Sequence, residues 1–261
     1  MDLGLKGKVA LITGASRGLG LAMAQALVDE GMTVAICARS GDAVNAVARK
    51  LAPESLANGG RGVTAFAADI TSASDMEQWV ASSAERFGAI DVLVNNAGAA
   101  RPGTLAELPE SAWQEQFDLN LFSAVRLARL CVPHMERRGG GSIINISSIY
   151  GREAGGPLTY NASKSALNSF TKMLARELAP RNIRVNAIAP GSILVPGGSW
   201  ERRFKENPAF EKDFIGHELP AGRLGAPDEV AYAVVMLASP RASWITGACI
   251  PVDGAQGRSN L

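Results

Sequence analysis

The chain has 261 residues, of which 47% are hydrophobic and 20% are charged, values within the range of globular proteins. Its 26 basic and 25 acidic side chains give a formal net charge of +1, which excludes a strong long-range attraction to nucleic acid or anionic lipid. We therefore expect one domain covering residues 1–261 that acts on a small molecule, without a nucleic-acid or membrane partner.

The cysteines and the first residues favour a cytoplasmic protein without a metal. Cys37, Cys131 and Cys249 lie far apart in apolar surroundings and lack metal-ligand spacing. Residues 1–8 contain no apolar segment of signal-peptide length, and no run of about 18 apolar residues occurs. We expect three reduced cysteines that pack in the interior.

Short β-rich runs alternate with longer segments in which apolar residues recur every three or four positions. The predicted strands are Val9–Thr13, Thr33–Ala38, Val63–Ala67, Val92–Asn95, Ser142–Ile146, Ile183–Ala189 and Ala248–Val252. After a first helix that ends at Gly31, the predicted helices are Asp42–Leu51, Asp75–Phe87, Ser111–Arg137, Thr159–Leu178 and Pro227–Ala238. Asp75 and Ser111 are the predicted N-caps.

This alternation predicts an α/β fold with a doubly wound (Rossmann) parallel sheet of seven strands and helices on both faces. Ligands of such sheets bind beyond the carboxyl ends of the strands. Two segments interrupt the pattern. Pro53–Gly62 is rich in turn residues and predicts a surface loop. Leu194–Gly222 is long for a connection and predicts a mobile lid, with an ordinary surface helix pair as the alternative.

The segment Thr13–Gly20, with the sequence TGASRGLG, ends a strand and opens a helix. The exposed N–H groups and positive dipole end of a helix N-terminus can hold a pyrophosphate. A glycine-rich turn can also serve as a tight connection, but the strand–turn–helix context favours a cofactor site. Its predicted contacts are Gly14, Ser16, Arg17, Gly18, Leu19 and Gly20.

The end of the second predicted strand indicates which cofactor binds. NAD enzymes place a carboxylate there for the ribose 2′-hydroxyl, whereas this chain has Arg39 and Ser40. Arg39, together with Arg17, would pair with a 2′-phosphate, which favours NADP(H). The alternative is that both arginines are ordinary solvated side chains.

Tyr160 and Lys164 are four residues apart at the start of a predicted helix and therefore share one face. A nearby ammonium favours phenolate, so Lys164 is expected to lower the pKa of Tyr160 toward the range of acid/base catalysis. The alternative is a packed tyrosine with a lysine that extends to solvent.

Three further polar residues call for an explanation. Ser147 and Ser148 end a predicted strand, where a hydroxyl could bond a substrate oxygen. Asn120 lies within a predicted helix although asparagine has poor helix propensity. It could bind a backbone carbonyl or a relay water, or it could simply be exposed.

Together these residues resemble the short-chain dehydrogenase/reductase family from Gly7 to Gly254, and especially the branch that includes 3-oxoacyl-acyl-carrier-protein reductases. Besides the glycine turn, Asn120, the two serines and Tyr160-x-x-x-Lys164, the resemblance rests on Asp69-Ile70, Asn95-Asn96-Ala97-Gly98, Pro190-Gly191, PAGRLGAPDEVA from Pro220 and ITGACIPVDGA from Ile245.

The resemblance implies a hydride transfer between nicotinamide and a carbonyl or secondary alcohol. It implies that Tyr160 moves the proton, that a serine holds the substrate oxygen, that Lys164 binds the nicotinamide ribose, and that Asn120 holds a relay water. The implied cofactor contacts are Asp69, Ile70, Asn96, Ala97, Gly98, Tyr160, Lys164, Pro190, Gly191 and Ile193. The alternatives are a non-catalytic NADP-binding sensor or scaffold and an NAD-linked alcohol dehydrogenase.

The chain departs from the family pattern at three places. The family spacing of thirteen residues before the tyrosine selects Ser147, but we expect Ser148 to be the active serine, because strand alternation decides which side chain faces the cleft. Val195 replaces a threonine that often bonds the cofactor, and Ala255 replaces a common glycine. By the same resemblance we expect a homotetramer in which the helices Ser111–Arg137 and Thr159–Leu178 form one interface.

Overall fold

The computed structural model describes residues 1–260. Its strands are β1 (Val9–Thr13), β2 (Thr33–Ala38), β3 (Val63–Ala67), β4 (Val92–Asn95), β5 (Gly141–Ile146), β6 (Ile183–Pro190) and β7 (Cys249–Val252). They form one parallel sheet in the order β3-β2-β1-β4-β5-β6-β7. The first four strands have the predicted bounds, and the other three differ from the prediction by one residue at one end.

The helices are α1 (Gly18–Asp29), α2 (Gly41–Ala57), α3 (Ala73–Phe87), α4 (Glu110–Phe117), α5 (Ser123–Arg137), α6 (Leu158–Leu178), α7 (Ser199–Glu206), α8 (Pro208–Glu218) and α9 (Pro227–Ala238). A π-helical turn, Asp118–Phe122, joins α4 to α5. None of the helices within residues 1–260 is long and apolar enough to cross a membrane.

Two hydrophobic clusters lie on opposite faces of the sheet. One contains buried side chains of α1, α2 and α9, and the other contains buried side chains of α3, α5 and α6. Alternate residues of β1 belong to opposite clusters, Ala10 and Ile12 to the first and Val9 and Leu11 to the second. A strand buried on both faces is apolar throughout, and the predicted doubly wound fold is confirmed.

The order of the strands positions the site. From β1 the chain passes outward to β2 and β3, and it then returns to place β4 on the other side of β1. The connections after β1 and β4 therefore run to opposite sides and leave a crevice at the carboxyl ends of these two strands.

The predicted loop Pro53–Gly62 is wrong in its first half, because α2 continues to Ala57 with Pro53 inside it. The buried hydroxyl of Ser55 donates to the carbonyl of Met32 at 2.8 Å and accepts from the N–H of Gly62 at 3.2 Å. These bonds hold the last turn of α2 and offset the backbone bond that a proline cannot donate.

The two predicted N-caps are also wrong. Helix α3 is capped by Ser72, whose hydroxyl accepts from the N–H of Asp75 at 3.3 Å. Helix α4 follows Pro109 without a side-chain cap. The predicted single helix Ser111–Arg137 is two helices, because the π turn at Asp118–Phe122 separates them.

The predicted lid, residues 194–222, contains α7 and α8. Four aromatic rings of these helices pack against one another, with 4.5 Å between the ring centroids of Trp200 and Phe214 and 5.6 Å between those of Phe210 and Phe214. The four rings, of which that of Phe204 is buried, form a small separate core with Leu219 and Leu224. The segment is therefore a folded helix pair, the alternative considered above, and its closure over a site remains a prediction.

Candidate active site

The glycines of the turn after β1 are required by close backbone contacts. Gly14 and Gly18 have positive φ angles of 67° and 60°. A Cβ at Gly20 would lie 2.4 Å from the carbonyl oxygen of Gly14, which only glycine avoids. Helix α1 begins at Gly18, and Arg17 at the N-cap position makes no capping bond. The first N–H groups of α1 therefore lie at the crevice, as anion binding requires.

Asn96 holds this turn against the end of β4. Its Nδ2 donates to the carbonyls of Thr13 at 2.9 Å and Gly14 at 3.3 Å. The hydroxyl of Thr13 accepts from the N–H groups of Asn96 and Ala97, each at 2.9 Å. The sequence suggests that Asn96 lines the cofactor cleft, and the structure shows that its side chain braces the turn.

The residues predicted to select the cofactor lie at the same edge of the sheet. Because Thr13 of β1 pairs with Cys37 of β2, the segments that follow both strands are neighbours. Arg17 and Arg39 are exposed and form no ion pair with any of residues 1–260. Ser40 caps α2 by accepting from the N–H of Ala43 at 3.4 Å.

Asp69 and Ile70 follow β3, the edge strand next to β2. The Oδ1 of Asp69 accepts from the N–H and the hydroxyl of Thr71 at 2.9 and 2.8 Å. The side chain of Ile70 is buried in the second hydrophobic cluster. Any contact of Ile70 with a ligand at this edge would therefore involve its backbone.

Asn120, Gly98 and Lys164 meet behind the crevice. Asn120 is only 2% exposed, so the alternative of an exposed asparagine is wrong. Its amide accepts from the N–H of Ala99 at 3.1 Å and donates to the carbonyl of Ala99 at 3.0 Å and the hydroxyl of Ser163 at 3.1 Å. A Cβ at Gly98 would lie 2.9 Å from Asn120 Oδ1 and 3.3 Å from Lys164 Nζ. The asparagine therefore fixes the segment after β4 through a backbone carbonyl.

The two serines after β5 differ in surroundings. The Ser148 side chain hydrogen-bonds the phenol of Tyr160 and accepts from the N–H of Tyr150 at 3.2 Å. The hydroxyl of Ser147 instead donates to the carbonyl of Lys164 at 3.5 Å, and a Cβ at Gly151 would meet it at 2.8 Å. Strand alternation thus directs Ser148, not Ser147, toward the tyrosine.

Burial dominates the titration of Tyr160 and Lys164. It raises the pKa of Tyr160, which the hydrogen bond from Ser148 lowers in part. Burial lowers the pKa of Lys164 to about 8. The Nζ donates to the carbonyl of Ile146 at 2.7 Å and lies 5.6 Å from the centre of the Tyr160 ring. The expectation that Lys164 lowers the pKa of the phenol is therefore not met here, because desolvation dominates the shift and Lys164 is not among the groups that cause it.

The turn after β6 completes the edge. The N–H of Gly191 donates to the carbonyl of Val252 at 3.1 Å. Ile193 pairs with Gly225 through its neighbours, which directs its own N–H and C=O away from that pairing. Val195, the predicted departure, packs near Gly18, where an added Cβ would lie 3.1 Å from Val195 Cγ1.

Two residues of this region were not predicted. Ser163 joins Asn120 to the carbonyl of Tyr160, with its hydroxyl donating at 3.0 Å. Gln256 is buried against Ser192. Ser163 lies between Tyr160 and Lys164, so its position in that motif is a sequence signal for a site residue. The sequence contains no comparable signal for Gln256. Residues 1–260 contain no group of three His, Cys, Asp or Glu side chains placed to share a metal ion.

Known proteins resemble the chain over nearly its whole length. Residues 14–255 match a family described as enoyl-(acyl carrier protein) reductase. The 3-oxoacyl-[acyl-carrier-protein] reductase FabG of Vibrio harveyi is 36% identical over 97% of this chain and 98% of its own. L-sorbose reductase from Gluconobacter frateurii, solved with NADPH and L-sorbose, is 37% identical over 99% of this chain and 100% of its own, with a TM-score of 0.92. A 7α-hydroxysteroid dehydrogenase complexed with NADH and 7-oxo glycochenodeoxycholic acid is 34% identical, over 100% of this chain and 98% of its own, with a TM-score of 0.88.

The chain therefore belongs to the short-chain dehydrogenase/reductase family, and its similarity to 3-oxoacyl-acyl-carrier-protein reductases confirms the branch suggested by the sequence. It is an oxidoreductase of the class that acts on alcohol and carbonyl groups.

The buried lysine makes stability depend on pH. Because the pKa of Lys164 falls from 10.5 to about 8 on folding, the unfolded chain binds more protons between these values, and this residue's penalty on the fold disappears as pH rises. Below pH 8 we expect the free energy of unfolding of Lys164→Met to exceed that of the unaltered chain by the largest amount. This excess should shrink as the pH rises toward 10.5, because the unaltered chain becomes more stable over that range.

Urea unfolding at intervals across this range measures that difference. Lys172→Met, on the exposed side of α6, is the matched loss of a lysine. A difference between Lys164→Met and the unaltered chain that stays constant with pH would contradict the buried-ammonium interpretation.

Proposed function

We propose that this protein is an NADP(H)-dependent oxidoreductase that transfers a hydride between nicotinamide and a carbonyl or secondary alcohol, with Tyr160 as the acid/base. The observation that carries the proposal is the placement of Tyr160 at the carboxyl edge of the sheet, where Ser148 acts on its phenol and the Nζ of the buried Lys164 lies 5.6 Å from the centre of its ring. Two hydroxyls that meet at one point can both bond a substrate oxygen, and one of them can transfer its proton.

The residues at the crevice fit a dinucleotide. The turn Gly14–Gly20 leads into α1, whose N-cap position makes no side-chain capping bond, so its first backbone N–H groups are available to a pyrophosphate. Ile193 presents a donor and an acceptor that are not used in its pairing with Gly225, which suits a carboxamide. Lys164 is buried where a ribose would be held. A bound nicotinamide would supply or accept the hydride.

The chain's own residues perform the proton chemistry. Ser148 and Tyr160 would hold the substrate oxygen, and the Tyr160 hydroxyl would donate its proton during reduction or accept one during oxidation. Because burial raises the pKa of Tyr160, the phenol carries its proton at neutral pH and is ready to donate it. Asn120 keeps the adjoining segment in place. We place the relay water at the backbone of the π turn that contains Asn120, because such turns are common at functional sites.

Two arginines support NADP(H) over NAD(H). Arg17 and Arg39 are exposed at adjacent strand ends without an internal carboxylate partner, so both are available to a 2′-phosphate. The similar L-sorbose reductase was solved with NADPH. The 7α-hydroxysteroid dehydrogenase was solved with NADH, which keeps an NAD-linked enzyme as the alternative.

The substrate is proposed only as a class. Similar proteins are named for 3-oxoacyl carrier-protein thioesters and L-sorbose, so a 3-oxoacyl thioester and L-sorbose are the first carbonyl compounds to test. The aromatic residues of α7 and α8 pack on one another, so they give no evidence for an apolar substrate wall.

We also propose a cytoplasmic homotetramer with α5 and α6 at one interface. Phe122 and Met173 are 39% and 61% exposed and lie just before α5 and within α6, apolar surface that an interface would cover. Light scattering at micromolar concentration should give four times the chain mass of 27.3 kDa, and a monomer would contradict this proposal.

Removal of one hydroxyl tests the mechanism. Tyr160→Phe should lower kcat by a factor of roughly 10² to 10⁴, because the phenyl ring keeps the packing but cannot transfer a proton. Tyr232→Phe, at a 67% exposed tyrosine of α9, should leave turnover unchanged. Steady-state rates with NADPH and either a 3-oxoacyl thioester or L-sorbose measure both, and equal turnover in the two variants would favour a non-catalytic role for Tyr160.

Removal of one charge tests the proposed preference for NADP(H) over NAD(H). Arg39→Ala should weaken NADPH binding by about tenfold, the factor of a contact of about 1.4 kcal/mol, while NADH binding stays the same. Nicotinamide fluorescence titration measures both affinities. Arg49→Ala, at an exposed arginine of α2, is the control for loss of a surface charge. An unaltered chain that prefers NADH would favour the NAD-linked alternative.

A further inference from the structure

Gln256 is a buried polar residue that lies outside the sequence motifs of the candidate site. It lies beyond β7 and is 7% exposed. Its Oε1 accepts from the backbone N–H of Ser192 at 2.7 Å, and its Nε2 donates to the Ser192 hydroxyl at 3.0 Å. Buried polar groups are costly unless bonded, so this pair of bonds joins the end of the chain firmly to the turn after β6.

The two bonds from Gln256 to Ser192 help to fix the orientation of the Ile193 backbone. The carbonyl of Ser192 accepts from the N–H of Gly225 at 3.0 Å, and the N–H of Leu194 donates to the carbonyl of Gly225 at 2.8 Å. With Gln256 on the N–H of Ser192, the backbone is held on both sides of Ile193. The N–H and C=O of Ile193 then keep a fixed direction for a partner outside the turn.

The backbone next to Gln256 has a strained conformation that neighbouring groups stabilise. Ala255 has a φ of 66°, a left-handed conformation that a non-glycine residue keeps only where its surroundings fix it. Asp253 supplies that support, because its carboxylate accepts from the N–H groups of Ala255 at 3.1 Å and Gly257 at 2.9 Å. Its carbonyl accepts from the N–H of Gln256 at 3.1 Å.

The space around the two bonds between Gln256 and Ser192 is also limited. A Cβ at Gly191 would lie 2.7 Å from Gln256 Oε1 and 2.8 Å from Asp253 Cβ. The glycine therefore allows the end of the chain to approach the turn closely enough for both bonds to Ser192.

We propose that Gln256 is a positioning residue that sets the Gly191–Ile193 turn for the nicotinamide end of the cofactor. The inference rests on the proposed NADP(H) function and adds a residue outside the recognised motifs. Gln256 touches neither substrate nor cofactor in this proposal. It acts through the N–H of Ser192 on the backbone groups of Ile193.

Two ligands separate a positioning role from a general loss of structure. NADPH carries the nicotinamide, whereas 2′-phospho-ADP-ribose carries the rest of the molecule without it. Gln256→Met keeps the length of the side chain and removes both bonds to Ser192. It should weaken NADPH binding by roughly tenfold, the scale of one lost bond to a buried group, and leave 2′-phospho-ADP-ribose binding unchanged.

Titration calorimetry with both ligands measures the two affinities, and Gln78→Met, at an exposed glutamine of α3, is the matched control. If Gln256→Met does not fold, Ser192→Ala removes only the hydroxyl partner of Gln256 and should show the same selective loss with a smaller factor. Equal losses for both ligands, or no loss of NADPH binding, would overturn the proposal.

The outcome can be separated from that of the cofactor proposal. If the unaltered chain binds NADH more tightly than NADPH, the NADP(H) assignment fails, and the same comparison with NADH and ADP-ribose tests Gln256. If the unaltered chain binds the dinucleotides and Gln256→Met does not discriminate between the ligands, only the positioning role fails.

Discussion

The side chain of Asn96 fixes the two central strands at the point on which the candidate site depends. Its two bonds to the carbonyls of Thr13 and Gly14, and the two bonds that the Thr13 hydroxyl accepts, join the end of β1 to the segment after β4. Buried peptide groups must find partners, and at a crevice between diverging connections the sheet cannot supply them. A Cβ at Gly20 would lie 2.7 Å from Asn96 Nδ2, so the close approach of α1 and this brace depend on each other.

Desolvation is the largest influence on the pKa values of Tyr160 and Lys164. It acts in opposite directions on the pKa values of Tyr160 and Lys164, raising the first and lowering the second, so both side chains are driven toward their neutral forms. The single residual aid to phenolate is the hydrogen bond from Ser148. A protonated phenol beside a serine is the state from which the proposed reduction of a carbonyl would begin.

The sequence predicted the sheet well because strands buried on both faces leave continuous apolar runs. It paired Tyr160 with Lys164 because residues four apart share one face of a helix, and Ser148 was added by the family resemblance together with strand alternation. It failed where tertiary contacts decide. Pro53 remains helical because Ser55 anchors the next turn to distant backbone. The role of Gln256 depends on a partner 64 positions away, and no local pattern encodes such a contact.

Residues 253–258 connect the turn after β6 to the loop after β5 and to α8. Gln256 holds the turn after β6, and two residues later the backbone N–H of Arg258 donates to the carboxylate of Glu153 while its guanidinium lies 3.3 Å from Glu218 of α8. The carboxylates of Glu153 and Glu218 also contribute to the raised pKa of Tyr150, which places all three near the loop that carries Ser148. The segment after β5 carries Ser148 and helix α6 carries Tyr160 and Lys164, whereas residues 253–258 connect the surrounding segments. Selectivity is therefore able to change through the loops and the chain end while the sheet and its reactive edge stay the same.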